Sequence, residues 1–250
     1  MQSLLGFDGY QTALERARTK DLLRLLPRGY TSVLDAGARD GYYSRLLVDY
    51  FRSVTALDIN FPLKSRWRVW VQADLTTLPF SDNCFDVIFC TEVLEHVSAV
   101  QKACREIARV AKHAVVIGVP YRQDTRIGKT TCNHCWKTNP PWGHVNSFDE
   151  QDLRELFPTM RAVELSLVGS SQERTNALAV ALMDAAGNPW GTYDQLEQCV
   201  HCGSKLSPPV SRSFMLRLSG ASAFMLNKVQ SRFATPRAGW IHMVFQKNES

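Results

Sequence analysis

The chain has 250 residues, enough for one large domain or for one domain carrying insertions, with 45% hydrophobic and 21% charged residues. That is the composition of an ordinary soluble globular protein, and a chain of this length needs no disulfide scaffold. The net charge of +5 is modest but uneven: from Lys205 onward seven cations face Glu249 alone, and the remainder is close to balance. A basic tail fits an anionic partner or substrate, and equally a solvated surface.

The start of the chain, MQSLLGFDGYQTALERARTK, lacks a basic opening followed by a long apolar run, and no segment has the roughly 18 consecutive apolar residues of a membrane span. A cytoplasmic protein with reduced cysteines is the expectation. Helical spacing runs over 11–26 and stops at Pro27. TSVLDAG reads as a strand ending in a turn, YYSRLLVDYF as a helix, SVTALDIN as a second strand ending in an acid, and WVQADL as a short third. CFDVIFCTEV is an apolar run and so a buried fourth strand; VQKACREIARVA is an amphipathic helix, and HAVVIGVP a fifth strand ended by proline. This rhythm predicts a parallel sheet covered by helices on both faces.

After Pro120 the rhythm breaks into a long irregular segment rich in Cys, His, Trp and Pro. FDEQDLRELF is again a helix, with Ser147 or Asp149 as N-cap. RAVELSLVG reads as a sixth strand. A helix (NALAVALMDAA), a turn (GNPWG), CVHCGSKLSPP and a long apolar-basic helix follow, and GWIHMVFQK closes as a strand. The chain shows no internal repeat or low-complexity tract.

VLDAGARDGY, ending the first strand, is a glycine-punctuated turn in which Arg39 occupies the place of a middle glycine. Gly37 and Gly41 allow a tight turn and close backbone approach, and the following helix offers free N–H groups. If position 39 requires a positive φ, the arginine is strained. Three acids end three successive strands: Asp35, Asp58 and Asp74. They suit a ligand with an amine, a ribose and an adenine, and they suit a pyrophosphate poorly.

VLDAGARDG, ALDIN, QADLTTLPFSDNCFDVIFCTEVLEHV and VVIGVP resemble, in order and spacing, the class I methyltransferases that use S-adenosylmethionine, across roughly 30–170. The stretch LPFSDNCFDVIFCTEVLEHV looks like the loop, fourth strand and following helix of the small-molecule branch of that family. The resemblance implies an α/β, Rossmann-like seven-stranded methyltransferase sheet with helices on both faces, its seventh strand antiparallel. It implies that Asp35, Gly37 and Gly41 line the methionine part of the cofactor and that Ala36, Ala38 and Arg39 also bind it, Arg39 either pairing with the cofactor carboxylate or pointing to solvent. Asp58 and Ile59 would hold the ribose, Asp74 and Leu75 the adenine, and Thr91 and Glu92 would pass beneath the methionine end. His96, four residues after Glu92, would share its helical face and hydrogen-bond locally.

Cys132-x-x-Cys135 and Cys199-x-x-Cys202 form two knuckles whose four thiolates suit a tetrahedral, structural Zn2+. His134, His144 and His201 rank below the cysteines as ligands, and Cys84, Cys90 and Cys104 read as small apolar core residues. In the family's topology both insertions emerge on the cofactor edge, which implies a small zinc-knuckle lid. His144, in GHVNSF, is a general base for a substrate hydroxyl, a helix cap or a zinc ligand. Trp136, Trp142 and Trp190 either stack on sugar rings or pack the lid. The expected organisation is a helical segment at 1–29, the cofactor-binding core at 30–170 interrupted at 121–146, a second insertion at 171–239 and a final strand at 240–250.

The leading expectation is thus a methyltransferase acting at oxygen on a small-molecule or glycan-like acceptor. An RNA methyltransferase gripping nucleic acid with the zinc module and basic tail is the alternative. CTEVLEHV lacks the Asn/Asp-Pro-Pro-aromatic signature of amino-group DNA methylases, and no Cys-Pro RNA-methylase motif occurs. A non-catalytic scaffold on a degenerate fold rests on Arg39 alone. The last helix either packs on the insertion, the favoured reading, or lies on a membrane surface.

Overall fold

The computed structural model describes residues 12–60, 69–195, 197–209 and 214–248. In chain order the elements are α1 (Ala13–Leu25), β1 (Ser32–Ala36), α2 (Tyr42–Leu47), β2 (Ser53–Asp58), β3 (Trp70–Gln72), β4 (Phe85–Thr91), α3 (Val100–Val110) and β5 (Ala111–Pro120). They continue as β6 (Thr130–Thr131), β7 (Thr138–Asn139), α4 (Glu150–Leu156), β8 (Met160–Val168), α5 (Ala177–Ala185), α6 (Phe214–Phe233) and β9 (Trp240–Lys247). The chain divides into two compact units: one of 1–121, 148–169 and 238–250, the other of 122–147 and 170–237.

The first unit is built on a seven-stranded sheet of order β3-β2-β1-β4-β5-β9-β8. β1 through β5 are mutually parallel, whereas β9 runs antiparallel to both β5 and β8, as the resemblance implies for the last strand. Period-two alternation splits its side chains between two cores. Leu34, Ile88, Cys90, Val115 and Ile117 face α3 and α4, whereas Val33, Val87, Phe89 and Val116 face Leu22 and Leu25 of α1 and Leu47 of α2. Helices therefore cover both faces. Cys90 and Cys104 are core residues as expected, but Cys84 is exposed, because it precedes β4 in a turn.

α1 belongs to this unit. A capping box starts it: Glu15 N–H donates to Thr12 Oγ1 while Thr12 N–H donates to Glu15 Oε2. Asp21 Oδ2 lies 2.8 Å from Nδ1 of the fully buried His242 on β9, and Arg24 pairs with Glu164 on β8. Burial pushes the His242 pKa down against the pull of Asp21, so its neutral Nδ1–H donates to that carboxylate. Asp149, rather than Ser147, caps α4, accepting from Gln151 N–H and Asp152 N–H.

Both excursions into the second unit start and end close together on the sheet. Tyr121, just past β5, bridges to Phe148, and its N–H donates to Gly239 O; Gly239 N–H donates to Val168 O. Within the second unit β6 and β7 pair as a small antiparallel hairpin, which sequence reading left as irregular. α5 and α6 pack closely at Gly220, where a Cβ would lie 3.0 Å from Pro189 and 3.4 Å from Ala186.

Asp86 joins β4 to the start of β1. Its Oδ2 accepts from Thr31 N–H, Thr31 Oγ1 and Ser32 N–H at 2.9–3.0 Å. Burial works to raise its pKa, but the bonds from Thr31 and Ser32 prevail and hold it at about 2, below the ordinary 3.8. A depressed acid contributes stability that is present above its unfolded pKa and lost as pH falls through the folded one. Asp86→Asn is therefore expected to lower the melting temperature at neutral pH, by about 1–3 kcal/mol of stability. The difference between variant and parent should vanish as melting is followed down to pH 2.

Candidate cofactor pocket and metal centre

The carboxyl ends of β1, β2 and β3 frame a cavity of about 430 Å³. Parallel register sets the frame, with Ala36 opposite Leu57 and Asp58 opposite Gln72. The loop after β1 is tied down by its own amides. Gly37 and Ala38 N–H both donate to Leu57 O at 2.7 and 2.8 Å, and Arg39 N–H donates to Asp58 Oδ2 at 2.8 Å. Gly37 takes φ +87°, and a Cβ there would sit 2.1 Å from Val93 Cγ2. Gly41 is left-handed too, at φ +77°, as N-cap of α2. Position 39 does use a positive φ, 51°, so Arg39 carries the backbone strain a glycine would avoid. Its side chain is exposed.

Of the residues named from sequence, Gly37, Asp58, Ile59, Asp74 and Leu75 line the cavity. Asp58 Oδ1 accepts from Asn60 N–H and Asp74 Oδ1 from Thr76 N–H, which holds both carboxylates in place. Ala36 and Ala38 are buried behind the loop. Asp35 is not in the wall. It is buried, accepts a hydrogen bond from Ser44 Oγ of α2, and burial pushes its pKa up to about 7. Thr91 is buried at the end of β4. Glu92 turns away from the cavity: Arg18 pairs with it at 2.7 Å, Trp240 Nε1–H donates to it at 3.0 Å, and the Arg18 guanidinium lies 4.3 Å from the Trp240 ring centre.

The expected helix through Glu92 and His96 does not form. Glu92 has φ 58°, and 94–96 is a single 3-10 turn, so the two side chains share no helical face. This turn supplies the wall that sequence reading missed: Val93, His96, Val97, Ser98 and Ala99 all line the cavity. Reading LEHV as helix hid it; the small residues Ser98 and Ala99 were the available signal.

In the second unit the four cysteines converge. Cys132 and Cys202 Sγ are 3.7 Å apart, Cys135 and Cys199 Sγ 3.6 Å, and all four lie within 4.8 Å of one another. A tetrahedron with metal–sulfur bonds of about 2.3 Å has edges of about 3.8 Å, and disulfides at about 2.05 Å are excluded. The knuckles share one backbone pattern. Cys132 N–H donates to Lys137 O, and Cys199 N–H to Ser204 O. Trp136 N–H donates to Cys132 O, and Gly203 N–H to Cys199 O. Trp136 and Gly203, each just after a second cysteine, both have positive φ, 61° and 71°. Hydrogen bonding with Ser204 holds the Cys202 thiol down to about 5, which favours the thiolate.

No histidine joins the four sulfurs: His201 Nε2 pairs with Thr138 O, and His144 Nδ1 lies 2.6 Å from Gln123 Oε1. The amide oxygen can only accept, so His144 Nδ1 carries the proton and the ring's basic lone pair is on Nε2. His144 does not cap α4, which Asp149 caps; it ends the short 3-10 turn 141–143, its N–H donating to Pro141 O. Trp142 neighbours it, ring centres 6.0 Å apart, and Trp190 lies against Phe224. Trp136, Trp142 and Trp190 are 75%, 42% and 59% exposed, so none packs a core.

Residues 34–117 match the family model described as a methyltransferase domain. The chain is 30% identical over 155 residues to a probable S-adenosylmethionine-dependent methyltransferase of Mycobacterium tuberculosis, covering 58% of this chain and 54% of that one. It is 29% identical over 111 residues to the malonyl-[acyl-carrier protein] O-methyltransferase of Pectobacterium atrosepticum, covering 42% and 44%. The chain thus spans about a third to a half of the length of the curated relatives it matches. Among solved structures, a putative methyltransferase from Bacillus halodurans superposes with a TM-score of 0.56 at 13% identity, covering 92% of this chain and 98% of that one. Residues 34–117 are thus similar to a methyltransferase domain, and the likeness to the solved structure at 13% identity shows the fold, a Rossmann-like methyltransferase sheet.

The tight contact at Gly37 generates a prediction. Gly37→Ala combines a left-handed φ with a clash against Val93 and is expected to destabilise by about 2 kcal/mol or more. Adding Val93→Ala should recover only the steric part, as read by thermal denaturation.

Proposed function

We propose that this chain transfers a methyl group from S-adenosylmethionine to a hydroxyl of a small-molecule or glycan-like acceptor, and that Cys132, Cys135, Cys199 and Cys202 hold one structural zinc ion. The observation that carries the cofactor reading is the pair of carboxylates, Asp58 and Asp74, in one cavity. Each Asp58 oxygen already accepts one backbone N–H, which leaves a lone pair on both for the two hydroxyls of a ribose. Asp74 keeps capacity to accept from an adenine amine, and the apolar side chains of Ile59 and Leu75 suit the faces of a flat base. A cavity of about 430 Å³ is of the size that small cofactors fill. The amides of Gly37, Ala38 and Arg39 are used within the fold, so the loop is poorly equipped to cradle a pyrophosphate.

The bound cofactor supplies an electrophilic methyl on a sulfonium. What the chain contributes is alignment of the acceptor, exclusion of water and removal of a proton. His144 is our candidate for the last task, taking the hydroxyl proton at Nε2 while Gln123 holds the ring by Nδ1–H. The exposed indole of Trp142 beside it suits the apolar face of a sugar ring. The zinc reading rests on the sulfur separations and the shared knuckle geometry. Four thiolates leave no open coordination position, so the metal has a structural role.

Calorimetric titration with S-adenosylmethionine tests the cofactor site. Asp58→Ala should weaken binding at least tenfold, whereas His144→Gln should leave affinity unchanged and lower kcat by about 10²- to 10⁴-fold on any hydroxyl acceptor that is turned over. Unchanged affinity in Asp58→Ala would remove the cofactor assignment. Elemental analysis tests the metal: about one zinc per chain is expected, with Cys132→Ser reducing occupancy and lowering the melting temperature.

A further inference from the structure

α6 is a 20-residue helix that contains no acidic residue. Its inner face, at Gly220 and Ala223, is buried. Its opposite face is apolar as well. Phe214, Leu218, Met225 and Val229 follow at intervals of four, seven and four residues, which puts them on one stripe about 22 Å long. They are 77%, 50%, 55% and 51% exposed, and Met215 and Phe233, at 69% and 82%, widen the stripe. Arg217 and Lys228 flank it on one side, at a spacing that brings them to the same edge of the helix, and Arg232 lies near its end. None of these three cations has an acidic partner among the described residues.

The charge pattern selects what covers the stripe. An antiparallel second copy of the helix would bring Arg217 and Lys228 against the same cations of its partner, and a parallel copy would set them against the partner's apolar edge at Met215 and Phe233, with no acid on either helix to neutralise them. An anionic surface with an apolar interior answers both features. No helix among the described residues is long and apolar enough to cross a membrane, so the helix would lie on such a surface rather than span it. A cavity of about 390 Å³ within the second unit opens beside the same helix. Lys228 lines it, and so do Thr175 and Asn227, whose Oγ1 and Oδ1 are buried without a hydrogen-bond partner. Asn227 Oδ1 can only accept, so it calls for a hydroxyl or amine donor beside the charge that Lys228 would neutralise.

We propose that α6 docks on an anionic lipid bilayer, and that the adjoining cavity takes a phosphodiester headgroup bearing hydroxyls. The Phe214–Val229 stripe enters the boundary between headgroups and acyl chains, and Arg217, Lys228 and Arg232 meet the phosphates.

The test is co-sedimentation of the full zinc-loaded chain with vesicles of phosphatidylcholine alone and of phosphatidylcholine with about one third phosphatidylglycerol. The proposal expects at least tenfold tighter binding to the anionic vesicles, weakening with added salt. Leu218→Glu with Met225→Glu should abolish that binding while circular dichroism melting stays unchanged. Should that pair perturb folding, Arg217→Ala with Lys228→Ala, on exposed side chains, should still lower vesicle binding several-fold. The proposal is overturned by absence of binding to anionic vesicles, or by binding that none of these substitutions weakens. A dimer seen by light scattering that Met225→Glu dissolves, without vesicle binding, would overturn it in favour of a second copy.

Discussion

Three consecutive amides, those of Gly37, Ala38 and Arg39, donate to the last residues of β2. Much of the first unit follows from that. The bonds fold the loop back over the neighbouring strand, fix the Asp58 carboxylate, and bring Gly37 so close to Val93 that no side chain fits between them. They also determine the sign of charge the site can accept. A loop whose amides point outward makes a nest for anions. Here they are consumed within the fold, and the cavity presents two carboxylates instead. Arg39 belongs to this arrangement through its backbone: the N–H bond to Asp58 requires the left-handed conformation, and the side chain is left in solvent.

The strands were legible because burial on two faces writes itself as apolar runs, and the acids that end β2 and β3 stand out against them. Asp58, Asp74 and their apolar neighbours Ile59 and Leu75 could therefore be read toward the cavity in advance. What sequence reading missed lies where local pattern and local geometry part. VLEHV has helical spacing, but the positive φ of Glu92, drawn toward Arg18 and Trp240, allows only one 3-10 turn. Asp35 looks like its two counterparts in the sequence. Its side chain, however, is buried and accepts from Ser44 of α2, so it anchors that helix instead of facing the cavity. The antiparallel last strand was expected from the resemblance alone, because a run such as WIHMVFQK reads the same in either orientation.

The second unit follows a different physical logic. Among the described residues the apolar cluster around its cysteines comprises Cys132, Cys199 and Leu206, with Cys135 and Tyr193 partly buried against it. So few apolar groups do not offset the entropy of ordering two loops that meet from opposite ends of 130–207. Polar bonds carry part of the load: Val200 N–H donates to Asn139 Oδ1, Asn133 Nδ2 to Ser207, and Thr131 N–H to Tyr193 OH. The convergent sulfurs offer four ligands to the proposed ion, which would supply the remaining adhesion.

Trp136 has a consequence of its own. Its counterpart in the other knuckle, Gly203, adopts the same left-handed backbone at no steric cost, whereas an indole there is disfavoured by about a kilocalorie per mole. The conformation persists because its N–H closes on Cys132 O beside the sulfur cluster. The two halves of the metal centre are therefore mechanically unequal. The Cys199–Cys202 half rests in a relaxed loop and the Cys132–Cys135 half is held under tension. If the proposed ion is withdrawn, the half expected to open first is the one carrying Trp136, which is 75% exposed. The indole thereby becomes an intrinsic gauge of whether the centre is closed.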